Sequence, residues 1–112
     1  FAADATTRVG WSTSQAEINA GIDQMVADGK TSISDGFKTA GELFVGGREG
    51  ATKVVLLVAD GKQTANAAPG KTPEQTAIDA ASRVKGDGAT VFAWGFGNKV
   101  GNTTMQQIAT DP

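Results

Sequence analysis

Five consecutive large aliphatic residues, Val54-Val55-Leu56-Leu57-Val58, lead into Ala59-Asp60-Gly61 and constrain the fold of this chain more than any other feature. A run without polar alternation reads as a strand buried on both faces, as central parallel strands are. An aspartate at the end of such a strand stands at the carboxyl edge of the sheet, where open α/β sheets bind ligands. A carboxylate there suits a hard cation, and Gly61 reads as the residue that turns the chain away. The bland alternative for Asp60 is an Asp-Gly turn with no ligand role.

Helical spacing surrounds this strand. Ser14 and Glu17 form a capping-box pattern ahead of Ile18, Ile22, Met25 and Val26, which predict one helix face ended by Asp28-Gly29. Ile33, Phe37, Ala40 and Phe44 predict a second helix from about Ser34 to Phe44, followed by a loop at Gly46-Gly47-Arg48-Glu49-Gly50. Lys62 to Lys71 reads as a loop. Thr72-Pro73-Glu74-Gln75 then opens a third helix with Ala77, Ile78, Ala81 and Val84 inward, stopped at Gly86-Asp87-Gly88. Thr90 to Trp94 is the next expected strand, with a glycine loop over Gly95 to Asn98. Asn102 is expected to cap a short last helix carrying Met105, Ile108 and Ala109. Thr7 to Trp11 reads as a short edge strand. Strands alternating with helices predict an α/β fold, a doubly wound, mostly parallel sheet with helices on both faces. Three strands are too few to shield the Val54–Val58 ladder, so we expect the sheet to be completed by polypeptide upstream of Phe1 or by another chain.

Composition narrows the function. The 112 residues suit one domain, and the net charge of −2 with scattered arginines argues against nucleic acid as a partner. No apolar run approaches the roughly 20 residues that span a bilayer, and the N-terminus lacks a signal-peptide pattern. Cysteine and histidine are absent, which removes thiolate chemistry, a histidine-dependent triad and the usual nitrogen and sulfur zinc ligands. Any metal must be held by oxygen, pointing to Mg²⁺, Mn²⁺ or Ca²⁺. Gln24 breaks a phosphate-loop match at Gly29-Lys30-Thr31, and Val100 breaks a dinucleotide fingerprint after Gly95 and Gly97. Phe92, Trp94 and Phe96 read as packing residues rather than a ligand platform. Asn102-Thr103-Thr104 is an N-glycosylation sequon as well as a candidate cap.

Gly29-Lys30-Thr31-Ser32-Ile33-Ser34-Asp35-Gly36 stands before the second helix, with the aliphatic strand ending Asp60-Gly61 after it. The Glu42-Leu43-Phe44 helix end, the Gly47–Gly50 loop and Thr90–Asn98 fall in the same register. In that order and spacing, residues 1–112 resemble the von Willebrand factor A domain, over roughly its C-terminal two-thirds. Phe1 to Asp4 looks like the end of its second strand. The resemblance implies a doubly wound sheet with a divalent cation at its carboxyl edge, the metal-ion-dependent adhesion site. In the family, three segments hold that ion: Asp-x-Ser-x-Ser after the first strand, a threonine matched by Thr31, and an aspartate matched by Asp60. Thr31 taken alone reads as a helix cap rather than a ligand. Asp35 complements the helix dipole and is assigned no ligand role.

Residues 1–112 contain no Asp-x-Ser-x-Ser, and neither Ser12-Thr13-Ser14 nor Ser32-Ile33-Ser34 follows a buried strand. A cation is therefore expected only if that motif lies upstream. The resemblance implies a non-catalytic adhesion or matrix-binding module, extracellular or at the cell surface, whose protein partner offers a carboxylate to the metal. The alternative is a metal-independent assembly domain of a larger extracellular polymer or complex.

Overall fold

The computed structural model of the chain describes residues 3–26 and 29–112. In chain order the elements are α1 (Gln15–Asp23), α2 (Ile33–Val45), β1 (Val54–Gly61), α3 (Pro73–Gly86), β2 (Thr90–Lys99) and α4 (Asn102–Ile108). β1 and β2 pair in parallel, from Val54 opposite Thr90 to Ala59 opposite Gly95, and α3 is the crossover between them. The architecture is α/β, built on a parallel sheet.

Local signals set most helix starts. The Ser14 hydroxyl accepts from the Glu17 N–H at 3.3 Å, but Glu17 does not reach back to the Ser14 backbone. Ser12 bridges the gap: its hydroxyl accepts from the Ser14 N–H at 3.0 Å and donates to the Glu17 carboxylate. At α3 the Thr72 hydroxyl accepts from the Gln75 N–H at 3.1 Å, with Pro73 at the first helical position. The Gln75 side chain turns forward to Asp79 instead of closing a box.

The core lies between the sheet and α2, α3 and α4. Ile33 and Phe37 of α2 meet Ala77, Ala81 and Val84 of α3, with Leu57, Val91, Met105 and Ile108 beneath and beside them. Gly41 of α2 faces Val84 of α3, and a Cβ there would make an ordinary contact at 3.8 Å. Gly95 is tighter still: a Cβ there would stand 2.4 Å from the Val100 side chain.

Several expectations are corrected. The Val54–Val58 run is buried on one face only. Leu57 and Ala59 point into the core, whereas Val54, Leu56 and Val58 share an outer face with Phe92, Trp94 and Phe96, each between 49% and 65% exposed. Successive strand side chains alternate between faces, and among the described residues helices cover only one of them. Phe92, Trp94 and Phe96 are thus not packing residues within this chain.

Secondly, residues 7–11 form no strand, since no neighbour among the described residues pairs with them; Trp11 instead stacks on Phe44 and donates its indole N–H to the Leu43 carbonyl at 2.8 Å. Thirdly, α1 ends at Asp23, before Met25 and Val26, and its Ile18 and Ile22 are exposed. Gly21 is its one buried residue, set so close to Val9 that an added Cβ would clash. The predicted stop at Asp28 lies outside the described residues, as do Phe1 and Ala2 of the expected strand end, whereas Ala3 and Asp4 form a bend and no strand.

Finally, β2 continues through the expected glycine loop to Lys99. β1 advances from Ala59 to Gly61 while β2 advances from Gly95 to Lys99, so the extra residues of β2 form a bulge rather than a loop. Gly61 itself stays in the strand, and an added Cβ would meet nothing within 4 Å. It does not make the turn expected of it.

Burial predicts a sharp contrast within α2. Phe37, at 2% exposure, should cost about 3–5 kcal/mol when replaced by Ala. Val45→Ala on the same helix, at a largely exposed position, should stay within about 0.5 kcal/mol. Equilibrium denaturation of both variants checks the assignment, and equal losses would contradict it.

Candidate metal centre

The N-terminus of α2 is held from a distance. Ser32 occupies the cap position, fully buried, yet its hydroxyl makes no capping bond. The acceptor comes instead from Gln63, whose Oε1 takes the Ser34 N–H at 2.8 Å. The Gln63 amide donates in turn to the Ser34 hydroxyl at 3.0 Å and to the Ala65 carbonyl at 2.9 Å. Gln63 is only 3% exposed, and both its amide hydrogens and its oxygen are engaged. A buried amide is costly unless satisfied, so this geometry is strongly selected over alternatives that leave it unpaired.

The same two segments are joined one residue further out. The Thr31 carbonyl accepts from the Thr64 N–H at 2.8 Å and the Ala65 N–H at 3.2 Å. The Thr31 N–H donates to the Thr64 hydroxyl at 3.0 Å. Residues 31–34, which enter α2, are thus clamped to residues 63–65, which leave β1 just past Asp60. Asp60 is exposed near the end of β1, at the bulge where the backbone of Gly97 runs alongside; the Cβ position of Gly97 is 3.8 Å from the Asp60 carbonyl.

Among the described residues, the Thr31 hydroxyl and the Asp60 carboxylate take part in no hydrogen bond or ion pair. Thr31 is not the helix cap, because the cap position belongs to Ser32 and the capping acceptor to Gln63. One hydroxyl and one carboxylate are the donors a hard divalent cation takes, so their chemistry fits such an ion. No group of three or more His, Cys, Asp or Glu side chains that could hold a metal exists among the described residues.

Two neighbouring features have other roles. Asn66, in the left-handed region at φ 58°, donates to Asp35 at 2.7 Å, to the Ser32 hydroxyl at 3.2 Å and to the Ala3 carbonyl. That ties Asp35 into the helix entrance. A groove between α2 and α3 carries charges of both signs, among them Lys38, Lys71, Asp79 and Arg83, and includes neither Thr31 nor Asp60. There, hydrogen bonds from Lys71 and Gln75 hold the Asp79 carboxyl below its usual range. Asn102 is exposed as the first residue of α4, and Gly101, not Asn102, holds the cap position.

Gln63 escaped the sequence reading because its partners lie 29 residues away in Ser34 and no local pattern marks it. The one available signal was a large amide in a stretch otherwise rich in small residues.

Comparison with known proteins shows the family of the chain. The chain belongs to the von Willebrand factor type A domain family, whose description matches residues 1–112. It is similar to proximal thread matrix protein 1 (PTMP1) from the mussel byssus, at 32% identity and a TM-score of 0.80 over 98% of this chain. A second crystal form of PTMP1 gives the same identity and a TM-score of 0.80. A PTMP1 structure with a zinc-occupied MIDAS motif, the metal-ion-dependent adhesion site, aligns at 0.79. The chain spans 28–29% of the length of these PTMP1 chains. No curated protein matches it.

A hydroxyl without a structural bond should be dispensable to the metal-free fold. Thr31→Val is therefore expected to change stability by less than about 0.5 kcal/mol in chelator. A loss of about 1 kcal/mol or more in thermal or denaturant unfolding would assign Thr31 to helix capping after all.

Proposed function

We propose that this chain is a non-catalytic protein-binding module of an extracellular or cell-surface matrix assembly. Its divalent cation is held at the carboxyl end of β1 through the Thr31 hydroxyl and the Asp60 carboxylate. The carrying observation is that both side chains are unengaged while the backbone beside them is fixed by the clamp from 63–65 to 31–34. Membership of the family supports the location, and the zinc-occupied motif in PTMP1 supports a divalent ion.

Mg²⁺, Mn²⁺ and Ca²⁺ all suit an oxygen-only donor set, and Mg²⁺ keeps several waters when few protein ligands reach it. The remaining family segment, Asp-x-Ser-x-Ser, would come from polypeptide outside residues 1–112. When bound, the cation supplies a Lewis-acidic position to which a partner carboxylate can be drawn. Lys30, beside Thr31, and Lys99, opposite Gly61, are exposed and favour an acidic partner at this edge, while Lys62, beyond Asp60, is paired with Glu74 at 4.0 Å. Among the described residues no helix is long and apolar enough to cross a membrane. The exposed sequon at Asn102 would carry glycan in a secreted protein.

Calorimetric titration of the full-length protein with Mg²⁺, Mn²⁺, Ca²⁺ and Zn²⁺ tests the reading. Asp60→Ala should weaken the preferred ion by more than about tenfold, since even outer partners of metal ligands are worth that much. Cation binding unchanged by the substitution would remove Asp60 from the site. Partner binding that survives both Asp60→Ala and chelator would move the function to metal-independent assembly.

A further inference from the structure

Gln63 is neither a donor to the proposed cation nor a residue of the family motif, yet it occupies the junction on which both donors depend. Three facts bear on its role. Its side chain is almost wholly buried, although it lies in a loop otherwise composed of small and polar residues. It supplies the acceptor that the Ser32 hydroxyl does not, so the first turn of α2 takes its position from the loop after β1. Its amide also bonds the carbonyl of Ala65, whose own N–H donates to Thr31. One side chain therefore links the entrance of α2, the Thr31 backbone and the segment leaving Asp60.

We propose that Gln63 is the positioning residue of the cation site, setting the placement of Thr31 relative to Asp60 without touching the ion. This inference rests on the cation reading above. A cation with two donors on separate segments is sensitive to their spacing, because hard ions such as Mg²⁺ tolerate little departure from their preferred geometry. The two donors are 29 positions apart in sequence and belong to different elements. Hydrogen bonds between the segments, rather than the local conformation of either, must hold their separation. Thr64 is the exposed second half of the device, through its hydroxyl acceptor for the Thr31 N–H. Groups that orient metal ligands in this indirect way are commonly worth about 10–100-fold in metal affinity.

The test compares three variants of the full-length protein. Gln63→Met keeps the volume and deletes every hydrogen bond. Thr64→Val removes one exposed acceptor and serves if Gln63→Met fails to fold. Thr72→Ala removes the cap of α3, destabilising the domain at a place remote from the clamp. Mn²⁺ affinity is read by calorimetry, and amide hydrogen exchange at Thr31, Ser34 and Thr64 is read in chelator.

Gln63→Met is expected to lose about tenfold or more in Mn²⁺ affinity and to speed exchange at those amides. Thr64→Val should move both readouts in the same direction by a smaller factor, and Thr72→Ala should leave Mn²⁺ affinity unchanged. Unmodified protein that binds Mn²⁺, with Gln63→Met or Thr64→Val binding equally well, would overturn the positioning role alone. Thr72→Ala weakening Mn²⁺ as much as the clamp variants would reduce Gln63 to a general stabilising residue. Failure of the unmodified protein to bind any of the four cations would overturn the cation reading itself, whatever the exchange rates show.

Discussion

The clamp between residues 31–34 and 63–65 is the contact on which the candidate site depends. Without it, the first turn of α2 would lose the acceptor for its Ser34 N–H, since the buried Ser32 hydroxyl makes no capping bond. A helix leaves its first N–H groups without partners, and local residues usually satisfy one of them. Here the partner is Gln63, delivered by the loop that leaves the principal strand. Capping and assembly of the two segments are consequently one event. The energy that completes α2 also brings the Thr31 backbone against the residues following Asp60.

The rest of the fold presents that contact at one end of the sheet. Parallel pairing sends β1 and β2 in the same direction, so their carboxyl ends and the loops after them gather on a single edge. The bulge in β2 prolongs the ladder past Asp60, and Gly97 allows its backbone to run beside the Asp60 carbonyl. The small Ala77 and Ala81 of α3 pack in the core with Ile33 and Phe37 of α2. Membership of the von Willebrand factor type A family then gives this edge a meaning that geometry alone does not. PTMP1, to which the chain is similar, has been captured with zinc in its MIDAS motif.

Signals that act within a turn were legible in the sequence. Ser14 and Thr72 start their helices as cap chemistry dictates, and Gly88, at φ 96°, stands just past the end of α3 as expected. Element type followed from spacing, as with Ile33 and Phe37. Three kinds of information were not local. Whether Val54, Leu56 and Val58 are covered depends on neighbouring layers, and a continuous apolar run does not count them. Whether Gly95 to Asn98 is loop or strand depends on a partner in β1, and Lys99 finds one in Gly61. Whether Ile18 and Ile22 of α1 are covered depends on what lies against that helix, which their spacing does not carry. At the candidate site, Thr31 and Asp60 were singled out through family register alone, while Gln63 was hidden because its bonds to Ser34 cross 29 residues.

The central claim is one of location: a divalent ion sits where the segments of Thr31 and Asp60 converge. Paramagnetic broadening by substoichiometric Mn²⁺, followed residue by residue in the amide spectrum of the full-length protein, reads that location directly. The account predicts that signals of residues 30–34 and 59–64 broaden first, with α1 and the α2–α3 groove around Asp79 and Arg83 little affected. Broadening centred on that groove, or spread evenly over exposed carboxylates, would contradict it.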